Sequence, residues 1–216
     1  MQGVPRPYRR SEQTVDLCLH LIGLAAAAVG AGTLMAGAAA RQSTLMTASV
    51  AIYGVALLAM ISASALYNAA SSGRRREWLR RCDHAAIFFM IAGTYTPFTL
   101  VCMGGAWGFG IAFFVWSVAL VGMAVKLLAP HHLEGFSTTL YLALGCVILV
   151  AFGPFLEGVP HTAVILLAAG GLLYSSGIIF HLWTRLPYHN AIWHGFVFTA
   201  AACHWVAVLD GVVQTA

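Results

Sequence analysis

The sequence predicts an all-α polytopic membrane protein, a seven-transmembrane-helix bundle, and three observations predict it. Hydrophobic residues make up 60% of the chain and charged residues only 8%, against roughly 25% charged in a soluble domain. Seven apolar stretches of 19 to 26 residues follow one another, each long enough to cross a hydrocarbon core of ~30 Å as a helix. The Lys and Arg residues are confined to a few short connections. That confinement ties the net charge of +4 to membrane orientation and argues against nucleic acid as a partner.

The stretches can be justified in order. The first, near Leu17–Ala39, opens on Asp16 and His20, which are four apart and share a helix face. Arg9-Arg10 and Ala38-Ala39-Ala40 at its ends faintly resemble a secretory signal with a cleavage site. The run is long for such a signal, however, and Asp16 and His20 interrupt it. The second stretch, near Thr44–Ala69, closes on Ser64 and Asn68, again four apart. A loop bearing Arg74, Arg75, Arg76, Arg80 and Arg81 leads into the third, near His84–Met103, which opens on Asp83 and His84. The fourth and fifth run near Trp107–Leu128 and Thr138–Leu156, and His131-His132 between them read as solvated interface residues. The sixth, near Ala163–Trp183, carries the small residues Ala168–Gly171, which permit close helix contact. The seventh, near Ala191–Val213, is entered through Pro187-Tyr188-His189-Asn190-Ala191-Ile192-Trp193-His194. His204 lies ten residues further on, ~15 Å deeper by helical rise. Residues 1–16 are assigned to a cytoplasmic tail and residues 17–216 to a single membrane domain. Trp78, Trp107, Tyr188 and Trp205 near the ends read as an aromatic belt. The five cysteines are scattered, with neither a disulfide framework nor a zinc-ligand spacing.

Seven spans make the topology testable by charge. With the N-terminus in the cytoplasm, the cytoplasmic side holds Arg6, Arg9, Arg10, the five arginines before the third span, Lys126 and Arg185. The opposite side holds only Arg41. A ten-to-one bias predicts N-in, C-out orientation.

This topology puts the intramembrane polar residues at one level. Asp16, His20, Ser64, Asn68, Asp83, His84, His189, Asn190 and His194 all fall in the inner-leaflet half. Ionisable groups within a membrane span are costly, so they point to a functional site with partners in neighbouring spans. A carboxylate, imidazoles, an amide and a hydroxyl suit a zinc-like metal, which generates a nucleophile for amide or ester hydrolysis near neutral pH. The same groups also suit a hydrogen-bond network that holds helices together, or a proton relay.

Several of these residues carry a resemblance. Asp83-His84-x-x-Ile87-Phe88, followed by Ile91-Ala92-Gly93-Thr94-Tyr95-Thr96-Pro97, resembles the third-span signature of bacterial hemolysin III proteins, the prokaryotic branch of the progestin and adipoQ receptor superfamily. Glu12-x-x-x-Asp16-x-x-x-His20-x-x-Gly23 is similar to a first-span Glu-x-x-Asn-x-x-x-His pattern. Ser64-Ala65-Leu66-Tyr67-Asn68 and His189-Asn190-Ala191-Ile192-Trp193-His194 are similar to the second- and seventh-span motifs. The resemblance implies a zinc held by one His of the second span and two of the seventh, with a third-span Asp near the water that the metal activates. It also implies ceramidase-like hydrolysis of a lipid amide or ester, with Asp83 and Ser64 as the catalytic residues. Asn68 and Asn190 stand at two of the three implied ligand positions, and His194 stands at the third. His189, His84 or His20 would then complete the metal set. Membrane lipids are the expected partners. The family name implies cytolysis or pore formation as an alternative, and the eukaryotic branch implies a receptor or transporter without catalysis.

Overall fold

A computed structural model describes residues 9–129 and 137–215; Arg6 and His131-His132 lie outside the described residues. The described residues form seven helices long and apolar enough to span a membrane: α1 (Arg10–Ala40), α2 (Thr44–Ala69), α3 (Arg74–Met103), α4 (Gly105–Leu128), α5 (Ser137–Gly158), α6 (His161–Leu182) and α7 (His189–Gln214). Short connections pack α1 on α2, α2 on α3, α3 on α4 and α6 on α7, while α5 lies against α3 and α4, and α1 closes the bundle against α7. Half of the apolar window of α2 and of α3 is buried, so these are the central helices. The outward sides of α4 and α6 present Phe113, Val121, Leu172 and Ile179, as lipid contact requires.

Two helices begin earlier than their apolar runs. Helix α1 starts at Arg10 rather than near Leu17, because its polar first turns are satisfied within the fold. Glu12 accepts hydrogen bonds from the Arg9 amide (2.9 Å) and from the Tyr188 amide at the start of α7 (2.9 Å). Helix α3 starts at Arg74, with Gly73 at φ 113° before it, so the five arginines sit on helical turns and not in a loop. Glu77 pairs there with Arg80 at 3.0 Å and Arg81 at 3.7 Å, and Arg76 lies 5.0 Å from the Tyr67 ring centre.

Helix α5 is interrupted where the sequence suggests a continuous span. It runs as an α-helix to Gly145, as a 3₁₀ segment over Val147–Ala151, and as an α-helix from Phe152. Such a break needs partners for the freed backbone groups, since the bilayer core supplies no water. Tyr95 of α3 provides them: its hydroxyl faces the carbonyls of Leu144 (3.1 Å) and Gly145 (2.8 Å) and the Ile148 amide (3.0 Å).

Small residues set the helix crossings. A Cβ on Gly93 of α3 would lie 2.6 Å from the Ala56 Cβ of α2, so those backbones meet closely. Gly30 of α1 makes room for Trp205 of α7, whose indole donates to the Gly30 carbonyl at 2.9 Å. Trp205 is therefore an interhelical anchor and not a belt residue.

Candidate functional site

Three helices build the site. Asp16 and His20 occupy successive turns of α1, Ser64 and Asn68 the last turns of α2, and His194 the second turn of α7. The carboxylate and both imidazoles are almost fully buried, at 2%, 1% and 7% exposure. Buried ionisable groups need partners, and these partner one another.

Each imidazole is tied through Nδ1. His20 Nδ1 donates to the Asp16 carbonyl at 2.8 Å, and His194 Nδ1 donates to the Asp16 carboxylate at 2.5 Å. A carbonyl and a carboxylate both accept, so each ring turns Nδ1 toward an acceptor and its Nε2 edge toward Ser64. The two Nε2 atoms converge on one hydroxyl: Ser64 Oγ lies 3.1 Å from His20 Nε2 and 3.4 Å from His194 Nε2. The second carboxylate oxygen of Asp16 is 3.8 Å from His20 Nδ1, so one carboxylate steadies both rings.

The rings stack edge to face at 4.4 Å between centres, and Phe198 lies against both, at 5.5 and 6.3 Å. Gly23 leaves space for Phe198, which would be 3.1 Å from any Cβ there. Phe198 thus covers one side of the cluster.

Among the described residues, Asp16, His20 and His194 form the group of His, Cys, Asp and Glu side chains placed to hold an ion, with one ligand atom from each within 4.8 Å of the others. Two imidazole nitrogens and a carboxylate oxygen suit zinc and similar divalent metals. Ligand histidines typically donate their second nitrogen to a carboxylate or carbonyl, which both of these already do. The donor set therefore fits a metal.

The other residues singled out in the sequence fall around this group. Asp83 of α3 is half-buried, interacts with the Ser64 hydroxyl and lies close enough to His194 for their charges to interact. The Asn68 amide nitrogen donates to the Ser64 carbonyl at 2.9 Å and faces Ser64 Oγ at 3.5 Å. Asn190 and His189 are half-buried on the first turn of α7, and neither belongs to the group of three. His84 also lies outside it, and its carbonyl accepts from the Tyr141 hydroxyl at 3.0 Å. His204 belongs to a separate layer, 3.3 Å from the Leu167 carbonyl and against Tyr174. Asp16 is the member that ligand spacing alone does not single out; its signal is the four-residue offset from His20.

The sequence is similar to known proteins along most of its length. A family model described as "Haemolysin-III related" matches residues 8–205. The "Hemolysin-3 homolog" of Bacillus subtilis (strain 168) is 34% identical over 198 residues, covering 92% of this chain and 93% of that protein. The "Hemolysin-3" of Bacillus cereus is 32% identical over 205 residues, covering 95% and 94%. The human "Monocyte to macrophage differentiation factor" is 29% identical over 171 residues, covering 73% of this chain and 67% of its own length.

Proposed function

For this chain, which belongs to the haemolysin III-related family, we propose the function of a membrane-embedded, divalent-metal-dependent hydrolase of lipid esters or amides. The observation that carries the proposal is the convergence of two imidazole Nε2 atoms on Ser64, with both Nδ1 atoms anchored by Asp16. His20 and His194 would hold the metal, zinc being the ion that best suits imidazole nitrogens, and Asp16 would orient His194 through Nδ1. When bound, the metal supplies Lewis-acid polarisation and a nucleophile near neutral pH. Asp83 accepts a proton at the open side of the cluster, and Ser64 with Asn68 orients the carbonyl of the lipid.

Lipid access supports the substrate class. Leu17, Leu21 and Ile22 face outward on the same turns of α1 that carry Asp16 and His20 inward, so the site is one helix away from lipid. The arginine distribution supports placing this end at the cytoplasmic face of a bacterial inner membrane, with the N-terminus inside.

Elemental mass spectrometry tests the reading on detergent-purified full-length protein. The expectation is near-stoichiometric zinc or a similar metal in the wild type, lost in His194→Ala and His20→Ala. Release of fatty acid from ester or amide lipids should fall with the metal and return on reloading. A folded wild-type protein that neither retains nor binds a divalent metal would refute the metal-dependent mechanism. It would favour a lytic role, which the name "Hemolysin-3" gives to the Bacillus cereus protein, or a receptor or transport role without catalysis.

A further inference from the structure

We infer that the cationic start of α3 binds the headgroup phosphate of an anionic glycerophospholipid, and that this lipid is the substrate class of the site. Only the role as substrate rests on the hydrolase reading; headgroup binding does not. Arg74, Arg75 and Arg76 are exposed on the first turn of α3. Glu77, the acidic residue of that turn, is taken up by Arg80 at 3.0 Å and Arg81 at 3.7 Å. Among the described residues no carboxylate pairs with Arg74, Arg75 or Arg76, so three positive charges stand uncompensated at one corner. A headgroup of net negative charge matches that corner. The ammonium of a zwitterionic headgroup would find no free carboxylate there.

Arg76 ties the corner to the polar cluster. Its guanidinium lies 5.0 Å from the ring centre of Tyr67 on α2. Stacking uses the flat face of the guanidinium and leaves its N–H edge to donate to phosphate oxygens in pairs. Tyr67 precedes Asn68, whose amide faces the Ser64 hydroxyl. On α3, Arg76 and Asp83 are seven residues apart, so they share one stripe of the helix across about 10 Å of rise. Asp83 in turn interacts with the Ser64 hydroxyl. The α2–α3 seam therefore leads from a phosphate-binding arginine to the cluster. In a glycerophospholipid the acyl ester lies one glycerol unit from the phosphate, so a headgroup held at Arg76 directs that ester along the seam. Membrane orientation alone accounts for arginines at this end of the bundle, but not for one stacked over this seam.

The corner is open to the bilayer. Trp78 is 51% exposed on the next turn of α3, and Leu66, beside Tyr67, is 51% exposed on α2. An outward tryptophan among arginines marks the headgroup boundary. The reaction balances with water alone. Water gives its hydroxyl to the acyl carbon and its remaining proton to the glycerol oxygen as the acyl C–O bond breaks. The products are a fatty acid and a lysophospholipid that keeps its anionic headgroup.

Native mass spectrometry tests the binding, on full-length protein in detergent with equal phosphatidylglycerol and phosphatidylcholine of matched acyl chains. The wild type should retain phosphatidylglycerol in preference. An arginine near an anionic lipid surface is worth about a fivefold preference, so Arg76→Gln should lower it by about that factor. Replacing Arg74, Arg75 and Arg76 together by Gln should abolish it, and Arg41→Gln, at the opposite end of the bundle, should leave it unchanged. Excess inorganic phosphate should not displace the lipid; displacement would assign the corner to free phosphate and overturn the lipid as ligand. In metal-loaded protein, fatty acid release from phosphatidylglycerol should exceed release from phosphatidylcholine, and Arg76→Gln should raise KM with little change in kcat. Thermal unfolding shows that each variant is folded. Equal retention of the two lipids by the wild type, or an undiminished preference in folded Arg76→Gln and in the triple variant, overturns the inference. If fatty acid is still released in that case, the hydrolase reading stands without it. Selective retention with no release from either lipid would keep the headgroup site and refute the hydrolase reading, and the substrate role with it.

Discussion

Replacing Asp16 separates its structural from its chemical contribution. The carboxylate accepts from His194 Nδ1 at 2.5 Å and lies 3.8 Å from His20 Nδ1, with 2% exposure. Asp16→Ala leaves the His194 N–H buried without an acceptor, at a cost of about 1–3 kcal/mol. Within a bilayer the unfolded reference state also finds partners, and measured polar couplings there average only ~0.6 kcal/mol. The near-complete burial of both partners places the expectation near the middle, about 2 kcal/mol, for Asp16→Ala. Asp16→Asn keeps an acceptor of the same shape and should cost less than about 1 kcal/mol. Denaturant titration in mixed micelles, followed by tryptophan fluorescence with chelator present, measures both values without a metal-binding contribution. A double-mutant cycle with His194→Ala then isolates the pair, and about 1–2 kcal/mol of coupling is expected. Equal costs for Asn and Ala, or coupling indistinguishable from zero, would refute the reasoning. The anchor of His194 would then be packing and not the carboxylate.

Two further predictions concern the frame that holds the site. Gly93→Ala should destabilise the α2–α3 crossing by about 1–3 kcal/mol, because the new Cβ would be 2.6 Å from Ala56 Cβ, about 1 Å inside normal contact. Ala56→Gly in the same chain should recover most of the loss; failure to recover it would mean that another contact sets the crossing. Tyr95→Phe removes the hydroxyl that serves the broken backbone of α5. Amide exchange at Gly145–Ile148 should therefore accelerate while α2 and α3 stay protected, and unchanged exchange would show that the break has other partners.

The parts of this structure that were legible in the sequence depend on local composition. Seven apolar runs give seven helices because length and hydropathy alone decide whether a segment can span. Ser64, Asp83 and His194 stand out because they are polar within such runs. What escaped has a long-range cause. Glu12 reads as a polar tail until α7 supplies the Tyr188 amide, and Asp16, placed in the first span by its offset from His20, does not announce His194 as its partner; these contacts lie 176 and 178 residues away. The interruption of α5 is set by a tyrosine on α3, and no feature of residues 137–158 announces it. Asn68 and Asn190 matched the expected ligand positions, yet position in a motif does not say what the surrounding helices bring within reach. In this bundle, α1 brings His20 into that space.

The first and last helices carry the site between them, which makes it a product of bundle closure. Contacts along its whole length pin α1 and its following turn to α7, among them Glu12 to the Tyr188 amide, Asp16 to His194, the Trp205 indole to the Gly30 carbonyl, and the Arg41 guanidinium to the Val213 carbonyl at 2.8 Å. They bridge 172 to 178 residues, so none can form until the intervening helices have taken their places. Before closure, Asp16 would lack the His194 partner that makes its burial tolerable, although His20 already reaches Ser64 of the neighbouring α2. Closure then aligns Asp16 with His194 and brings the second imidazole to Ser64. A substitution at either end of the α1–α7 seam should therefore disturb the chemistry of the site even where it touches none of its residues. The Arg41 contact, at the far end of α1, is the place where that coupling can be separated from direct contact.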